Sequence, residues 1–490
     1  MAKSQWSFKT AVELSAALAA KKVSAVELAQ DAIARIERHD GKINAICVRD
    51  FTRGLDAARE ADAARARGDT RPLLGLPVTI KESYNIAGLP TTWGFPEQKN
   101  FTPAEDALSV ARVKAAGGVI LGKTNVPVAL GDWQSYNEIY GTTNNPFDLG
   151  RTPGGSSGGS SAALAAGYGP LSLGSDIGGS LRVPAFHCGV YAHKPTFGLV
   201  PARGHTPPPL PPLPFERDLS VIGPMARSAS DLSLLLDVIA APDPLDAGVG
   251  YKLALPPARH DELKNFRVLL LDTHPLLPSN ASIRNAIETL AGQLAKAGVT
   301  VTRESPLLPD LAATSRLYMR MLLSFLAASF APDVYAGAKA AAAQLSPDDL
   351  SLAAERLRGI AISHRDWLMA DRDRTRLRAR WRELFKSFDA VICPIMPIPA
   401  YPHDHSPDQE TRRIDIDGKK YPYTDQLVWP GIATLPGLPA TAIPLGLSTE
   451  GLPVGVQIVG PWLEDRTSLR LAELIERAFG GFVPPPMFDD

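Results

Sequence analysis

From Thr152 to Ser180 the chain reads TPGGSSGGSSAALAAGYGPLSLGSDIGGS, and no other stretch restricts the fold as strongly. Its glycines let backbone amides approach a ligand or another strand where a Cβ would obstruct them. A flexible Gly/Ser linker is the competing reading. A linker would not run directly into Leu181-Arg182-Val183-Pro184 and a second ordered apolar segment. The chemical unit inside it is Ser175-Asp176-Ile177-Gly178-Gly179-Ser180, where successive amides from Ile177 to Gly179 lead into a serine. Amides in such a series can converge on an oxyanion, and preorganised donors aimed at developing charge are a large catalytic effect.

The flanking pattern alternates helix and strand, which predicts an α/β fold. Ser24-x-x-Glu27 is a capping box that opens a helix carrying Leu28, Ala29, Ala32, Ile33 and Ile36 at helical spacing. Leu73 to Ile80 is a short apolar run after Gly and Pro punctuation, read as a buried strand that ends at Lys81. Residues 107–116 read as a helix and Val119 to Leu121 as a strand. Phe266 to Leu271 followed by Ile283, Ile287, Leu290 and Leu294 reads as another β-α unit, stopped at Gly298. Residues 310–385 read as mostly helical, and three strands and a helix close the chain. The expected organisation is one large unit with a mixed central β-sheet flanked by helices on both sides. Its segments are a helical stretch 1–68, a core 69–204, a variable and mostly helical insert with one β-α unit 205–388, and completing strands and helix 389–490. Proline is dense from Pro201 to Pro214, marking a surface connection or a site rim.

Composition removes several function classes. The chain has 490 residues, a formal net charge of −1 and no basic block, so it carries no electrostatic footprint for nucleic acid or an anionic membrane. Its three cysteines, Cys47, Cys188 and Cys393, lie far apart, indicating neither a disulfide framework nor a zinc knot. No signal segment or long apolar run is evident. A cytoplasmic protein with no cofactor and no metal is expected. Its partner is expected to be a small molecule, with a homodimer left open.

The Gly/Ser stretch, together with LGLPVTIKES and GPMARS, resembles the amidase signature family. GGVILGKTNVP, YGTTNNPFD, LRVPAFHCGVYAHKPTFG and GLPVGVQIVG extend the resemblance in order over most of the chain, least over 205–430. The resemblance implies a catalytic lysine at Lys81, a serine in a cis peptide at Ser156 and a nucleophile at Ser180, spaced by 75 and 24 residues (156 − 81 and 180 − 156). In that reading a neutral Lys81 takes the proton of Ser156, which deprotonates Ser180 as it attacks an amide carbonyl. The oxyanion rests on the amides of Ile177, Gly178, Gly179 and Ser180. Ser175 is implied to support Lys81 or Ser156, Asp176 and Arg182 to pair beneath the loop, and Leu130, Gly131 and Asp132 to wall an acyl pocket. An amidase, anilidase, esterase or carbamate hydrolase is expected, with a lean to uncharged or apolar substrates from Tyr318, Met319, Met321, Phe325 and Trp429, each of which core packing would also explain.

Three other readings compete. Gly117 to Thr124 satisfies the phosphate-loop pattern G-x-x-x-x-G-K-[ST], but its strand lies inside the motif and Pro127 follows too soon for a helix. Gly154-Gly155-Ser156-Ser157-Gly158 matches the nucleophile elbow of an α/β-hydrolase esterase, which would recruit His403 or His405, yet a Pro/Gly loop precedes it where a strand is needed. One component of a tRNA-dependent amidotransferase resembles the same family and would release ammonia from glutamine for a partner.

Overall fold

The computed structural model describes residues 4–488; Met1–Lys3 and Asp489–Asp490, at the ends of the expected terminal segments, lie outside the described residues. Eleven strands join one mixed sheet: β1 Ile46–Arg49, β2 Pro77–Lys81, β3 Val119–Thr124, β4 Leu171–Asp176, β5 Tyr191–Lys194, β6 Val221–Ala226, β7 Arg267–Leu270, β8 Thr300–Thr302, β9 Ala390–Cys393, β10 Ala440–Leu447 and β11 Pro453–Val459. Across the sheet they run β1-β3-β2-β4-β6-β5-β10-β11-β9-β7-β8. β3, β2 and β4 are parallel neighbours, β9, β7 and β8 likewise, and antiparallel pairs join these two groups.

Every residue of β2, β3, β4, β6 and β11 is buried, because helices cover both faces. Such strands read as continuous apolar runs instead of alternating ones. The α/β class, with helices about a mixed central sheet in one unit, is as the sequence predicts. The Ser24 capping box forms, with Ser24 Oγ accepting from Glu27 N at 3.1 Å and Glu27 Oε2 accepting from Ser24 N at 2.8 Å. Asn280 caps the helix Ala281–Lys296 whose Ile283, Ile287, Leu290 and Leu294 are buried.

Two strand boundaries move, and five strands, β1, β4, β5, β6 and β8, are new relative to the sequence reading; β1 interrupts the stretch 1–68 expected to be helical, where it pairs with β3. The run at 73–80 turns first through Gly75, at φ +83°, and is extended only from Pro77 to Lys81. β3 continues to Thr124, so Lys123 and Thr124 of the phosphate-loop pattern are strand residues. Lys123 Nζ donates to Thr91 Oγ1 at 2.8 Å and Thr124 Oγ1 bonds Ser160 Oγ at 2.7 Å. β6, in the middle of the sheet, was hidden by its Gly223-Pro224. Gly223 is required there, since a Cβ would stand 2.3 Å from His193 O of the adjacent strand.

Because β2 and β4 are parallel and adjacent, their C-terminal ends bring Lys81 and Asp176 to the same edge of the sheet. In open α/β sheets this is where ligands bind. Four helices, Leu311–Leu326, Pro332–Ala342, Leu352–Ile360 and His364–Ser387, make up the helical run expected over 310–385. Among the described residues, no helix is long and apolar enough to cross a membrane.

Candidate active site

Lys81 is fully buried and points from the end of β2 at three hydroxyls. Its Nζ lies 2.6 Å from Ser156 Oγ, 3.0 Å from Ser157 Oγ and 2.9 Å from Ser175 Oγ, and among the described residues no carboxylate is within ion-pair distance of it. Burial pushes its pKa well below the ordinary lysine value; Asp176 opposes the shift and Arg217 adds to it. Ser157 is therefore a direct partner of Lys81. Ser175, expected as a support, is another.

Ser156 is the second residue of a cis peptide with Gly155. Gly155 must lack a side chain, since a Cβ would meet Asp132 O at 2.4 Å and Gln134 N at 2.8 Å. Ser157 precedes the wholly buried helix Gly158–Ala165, whose small residues let it lie against β2, β3 and β4.

The turn from Ile177 to Leu181 is folded around Asp176. Its carboxylate accepts from Gly179 N at 2.9 Å, Leu181 N at 3.1 Å and Arg182 Nε at 3.0 Å, and Arg182 Nη2 lies 2.9 Å from Oδ1. Burial alone would raise the Asp176 pKa, but Arg182 and these amides hold it below the usual carboxylate value. Arg182 also donates to Gln457 Oε1, Thr434 Oγ1 and Pro430 O at 2.6–3.0 Å, so the pair ties the turn to the C-terminal strands.

Two further bonds orient the turn's peptide planes. Tyr318 OH donates to Ile177 O at 2.6 Å, and Trp133 Nε1 donates to Gly178 O at 2.9 Å. In a trans peptide the carbonyl and the following N–H point in opposite directions. Tyr318 thus sets the direction of the Gly178 N–H, and Trp133 that of the Gly179 N–H. One expectation is corrected here: Gly179 spends its N–H on Asp176, leaving the amides of Ile177, Gly178 and Ser180 as the donors the turn can offer.

Ser156, Ser180 and the turn line a cavity of about 240 Å³. Leu130, Gly131 and Asp132 lie in its wall. The Asp132 carboxylate, however, is taken by Arg412 Nη1 and Tyr423 OH, each at 2.6 Å, so it braces the wall instead of presenting a charge to a ligand. Of the apolar residues named from the sequence, four take the core alternative. Tyr318, Met319, Met321 and Trp429 are core, while Leu322, Leu323 and Leu326 of the helix Leu311–Leu326 face the cavity with Leu427 and Trp93. The i, i+4 pair Leu322/Leu326 was the sequence signal for them; nothing in sequence marked Trp93 or Arg217, which also lines the cavity.

The histidines named for an esterase triad are elsewhere. His403 Nε2 bonds Asn144 Oδ1 at 3.1 Å and His405 stacks on Tyr136 at 3.8 Å between centroids. The cavity's own histidine, His205, comes from the proline-rich segment and bonds Ser83 Oγ at 2.9 Å. Among the described residues no cluster of His, Cys, Asp and Glu has the makings of a metal site.

The amidase family's sequence profile matches residues 27–469. The A subunit of the glutamyl-tRNA(Gln) amidotransferase of Thermus thermophilus is 35% identical, covering 95% of this chain and 96% of its own. Fatty-acid amide hydrolase 2-A of Danio rerio is 31% identical, covering 97% of this chain and 90% of its own. Among solved structures, a chain of a vestigial protein complex bearing on the evolutionary origins of an s-triazine catabolic enzyme superposes with a TM-score of 0.79 at 30% identity, covering 96% of this chain and 98% of that one. By profile, relatives and fold, the chain belongs to the amidase signature family and is an amide-cleaving hydrolase.

Proposed function

We propose that the chain hydrolyses a small-molecule carboxamide through an acyl-enzyme on Ser180, with Ser156 as proton relay and Lys81 as base. The observation that carries this reading is the Lys81 amine, buried among three hydroxyls with no counter-ion among the described residues. An ammonium has three protons to donate and no acceptor, whereas a neutral amine has two protons and one lone pair. Two serines accept from the neutral amine and the third donates to it. In this reading Ser156, 2.6 Å away, is the hydroxyl that turns its proton toward the amine's lone pair.

In the reaction Ser180 Oγ forms a bond to the carbonyl carbon while its proton passes to Ser156 and the Ser156 proton passes to Lys81. The carbonyl π pair moves to oxygen, opposite the amides of Ile177, Gly178 and Ser180. Collapse expels the amine, which takes the proton back through Ser156. Water then repeats the sequence on the ester, releasing the acid and restoring Ser180. Asp176 and Arg182 hold the turn.

The test is fluorophosphonate labelling of the wild type and of Ser180→Ala, Ser156→Ala and Lys81→Ala, with turnover of an amide panel. Loss of labelling in Ser180→Ala and slow labelling in the other two support the reading; full labelling of Ser180→Ala refutes it. A second reading, supply of ammonia from glutamine to a partner, is favoured by the 35% identity to an amidotransferase component over nearly the whole chain. Glutamine turnover that appears only with a partner protein would establish it.

A further inference from the structure

Among the described residues, one cation in the cavity wall is without a counter-ion. Arg217 is half-buried, with its guanidinium carbon 5.0 Å from the Trp93 ring centroid and 5.5 Å from that of Phe325. Among the described residues, no carboxylate lies within ion-pair distance of it and no acceptor takes a hydrogen bond from its side chain. The other arginines about the site are paired. Arg182 has Asp176 at 2.9 Å, Arg412 has Asp132 at 2.6 Å, and Arg356 has Glu410 at 2.7 Å and Asp425 at 3.4 Å. The carboxylates in the cavity wall, Asp132, Asp176 and Glu410, are thus committed to other arginines. Asp218, next in the chain, is bonded to Arg374 at 2.6 Å.

Two aromatic rings against a guanidinium engage its faces and leave the N–H edge as the part able to hydrogen-bond. Half-removing such a group from water without a partner is costly. The cost is offset when a ligand brings a planar anion, and a carboxylate matches the fork of a guanidinium with two parallel bonds. Arg217 lines the same cavity as Ser156 and Ser180, and its charge is near enough to depress the pKa of Lys81.

We propose that Arg217 binds a carboxylate of the substrate, so that the amide cleaved at Ser180 is an anionic one with its carboxylate a few bonds from the scissile carbonyl. This rests on the acyl-enzyme reading above. It narrows the substrate class and turns it away from the uncharged amides suggested by the leucine wall.

The experiment compares kcat/KM for matched pairs. One pair is the 4-nitroanilides of succinic acid and of butanoic acid, with charge on the acyl side. The other is N-butanoyl-4-aminobenzoate and N-butanoyl-4-aminobenzamide, with charge on the amine side. In the wild type at least one pair should favour the anion by about 10- to 100-fold, the range of a charge-assisted bond. In Arg217→Met that ratio should fall to about one, and Arg217→Lys should retain part of it. The ratio within a pair cancels any effect of Arg217 on Lys81, which acts on both members. A wild type that treats both pairs alike, or a preference that survives in Arg217→Met, overturns the proposal. Labelling of Ser180 by an uncharged fluorophosphonate separates the two readings: labelled Ser180 with no anion preference sinks only this inference, while unlabelled Ser180 sinks both.

Discussion

Lys81 Nζ stands 2.6 Å from Ser156 Oγ, fully buried and unpaired with any carboxylate among the described residues. The site is organised around that contact. On the proposed reading a lysine so placed is a neutral base in the folded protein and an ordinary ammonium in the unfolded chain, and its lowered pKa has a thermodynamic signature.

Because the folded pKa of Lys81 lies well below 10.5, the unfolded state binds more protons between the two values. Stability contributed by this group therefore rises with pH across that window. Lys81→Met removes the titration. The difference in Tm between Lys81→Met and wild type should be most favourable to the variant at the low end of the window and decline steadily as pH approaches 10.5. Thermal melts across that range read it out, and a difference independent of pH would show that Lys81 stays charged in the fold. In turnover, Lys81→Ala should lose about a hundred- to ten-thousand-fold in kcat. Lys81→Arg should not recover it, since a guanidinium cannot deprotonate.

Asp176 and Arg182 are both wholly buried, and the turn that carries Ser180 is bonded to Asp176. Removing one partner leaves an uncompensated buried charge, at a cost of about 3–5 kcal/mol. Arg182→Met should lower stability by that order in a denaturant titration. It should also abolish labelling of Ser180, because the turn loses its tie to Gln457 and Thr434.

Gly155 is tested by its missing Cβ. In Gly155→Ala the new methyl would stand 2.4 Å from Asp132 O, a backbone atom that cannot swing aside. Both melting temperature and kcat should fall, while Gly337→Ala, with open space at its Cβ, should change neither.

Tyr318 holds the Ile177 carbonyl from behind the turn. Tyr318→Phe keeps the ring in the core and deletes the hydroxyl, at about 1 kcal/mol for the bond. If this bond orients the Gly178 N–H, kcat should fall several-fold with KM nearly unchanged, whereas a purely structural role would lower the melting temperature and leave kcat of the folded enzyme intact.

Much of this architecture was legible in the sequence. Local rules located the Ser24 cap, the helix from Asn280, the buried strand run ending near Lys81 and the start of the strand at Val119, since each is written in neighbouring residues. Resemblance marked Lys81, Ser156 and Ser180. The missing parts depend on distant segments. β6 needed the knowledge that Gly223 passes against His193, and Ser157 could not be assigned to Lys81 before the loop was folded. Trp93 and Arg217 meet across more than a hundred residues. The spent amide of Gly179 follows from the direction in which Trp133 turns a peptide, which no spacing encodes.

The most direct measurement is to quench the wild type during turnover of an activated 4-nitrophenyl ester and locate the acyl mass by peptide mass spectrometry. The account predicts the acyl group on Ser180, in the turn after Asp176, with the same position slow to acylate in Ser156→Ala. An acyl group on Ser156, the serine of the Gly154-Gly155-Ser156-Ser157-Gly158 pattern, would contradict it.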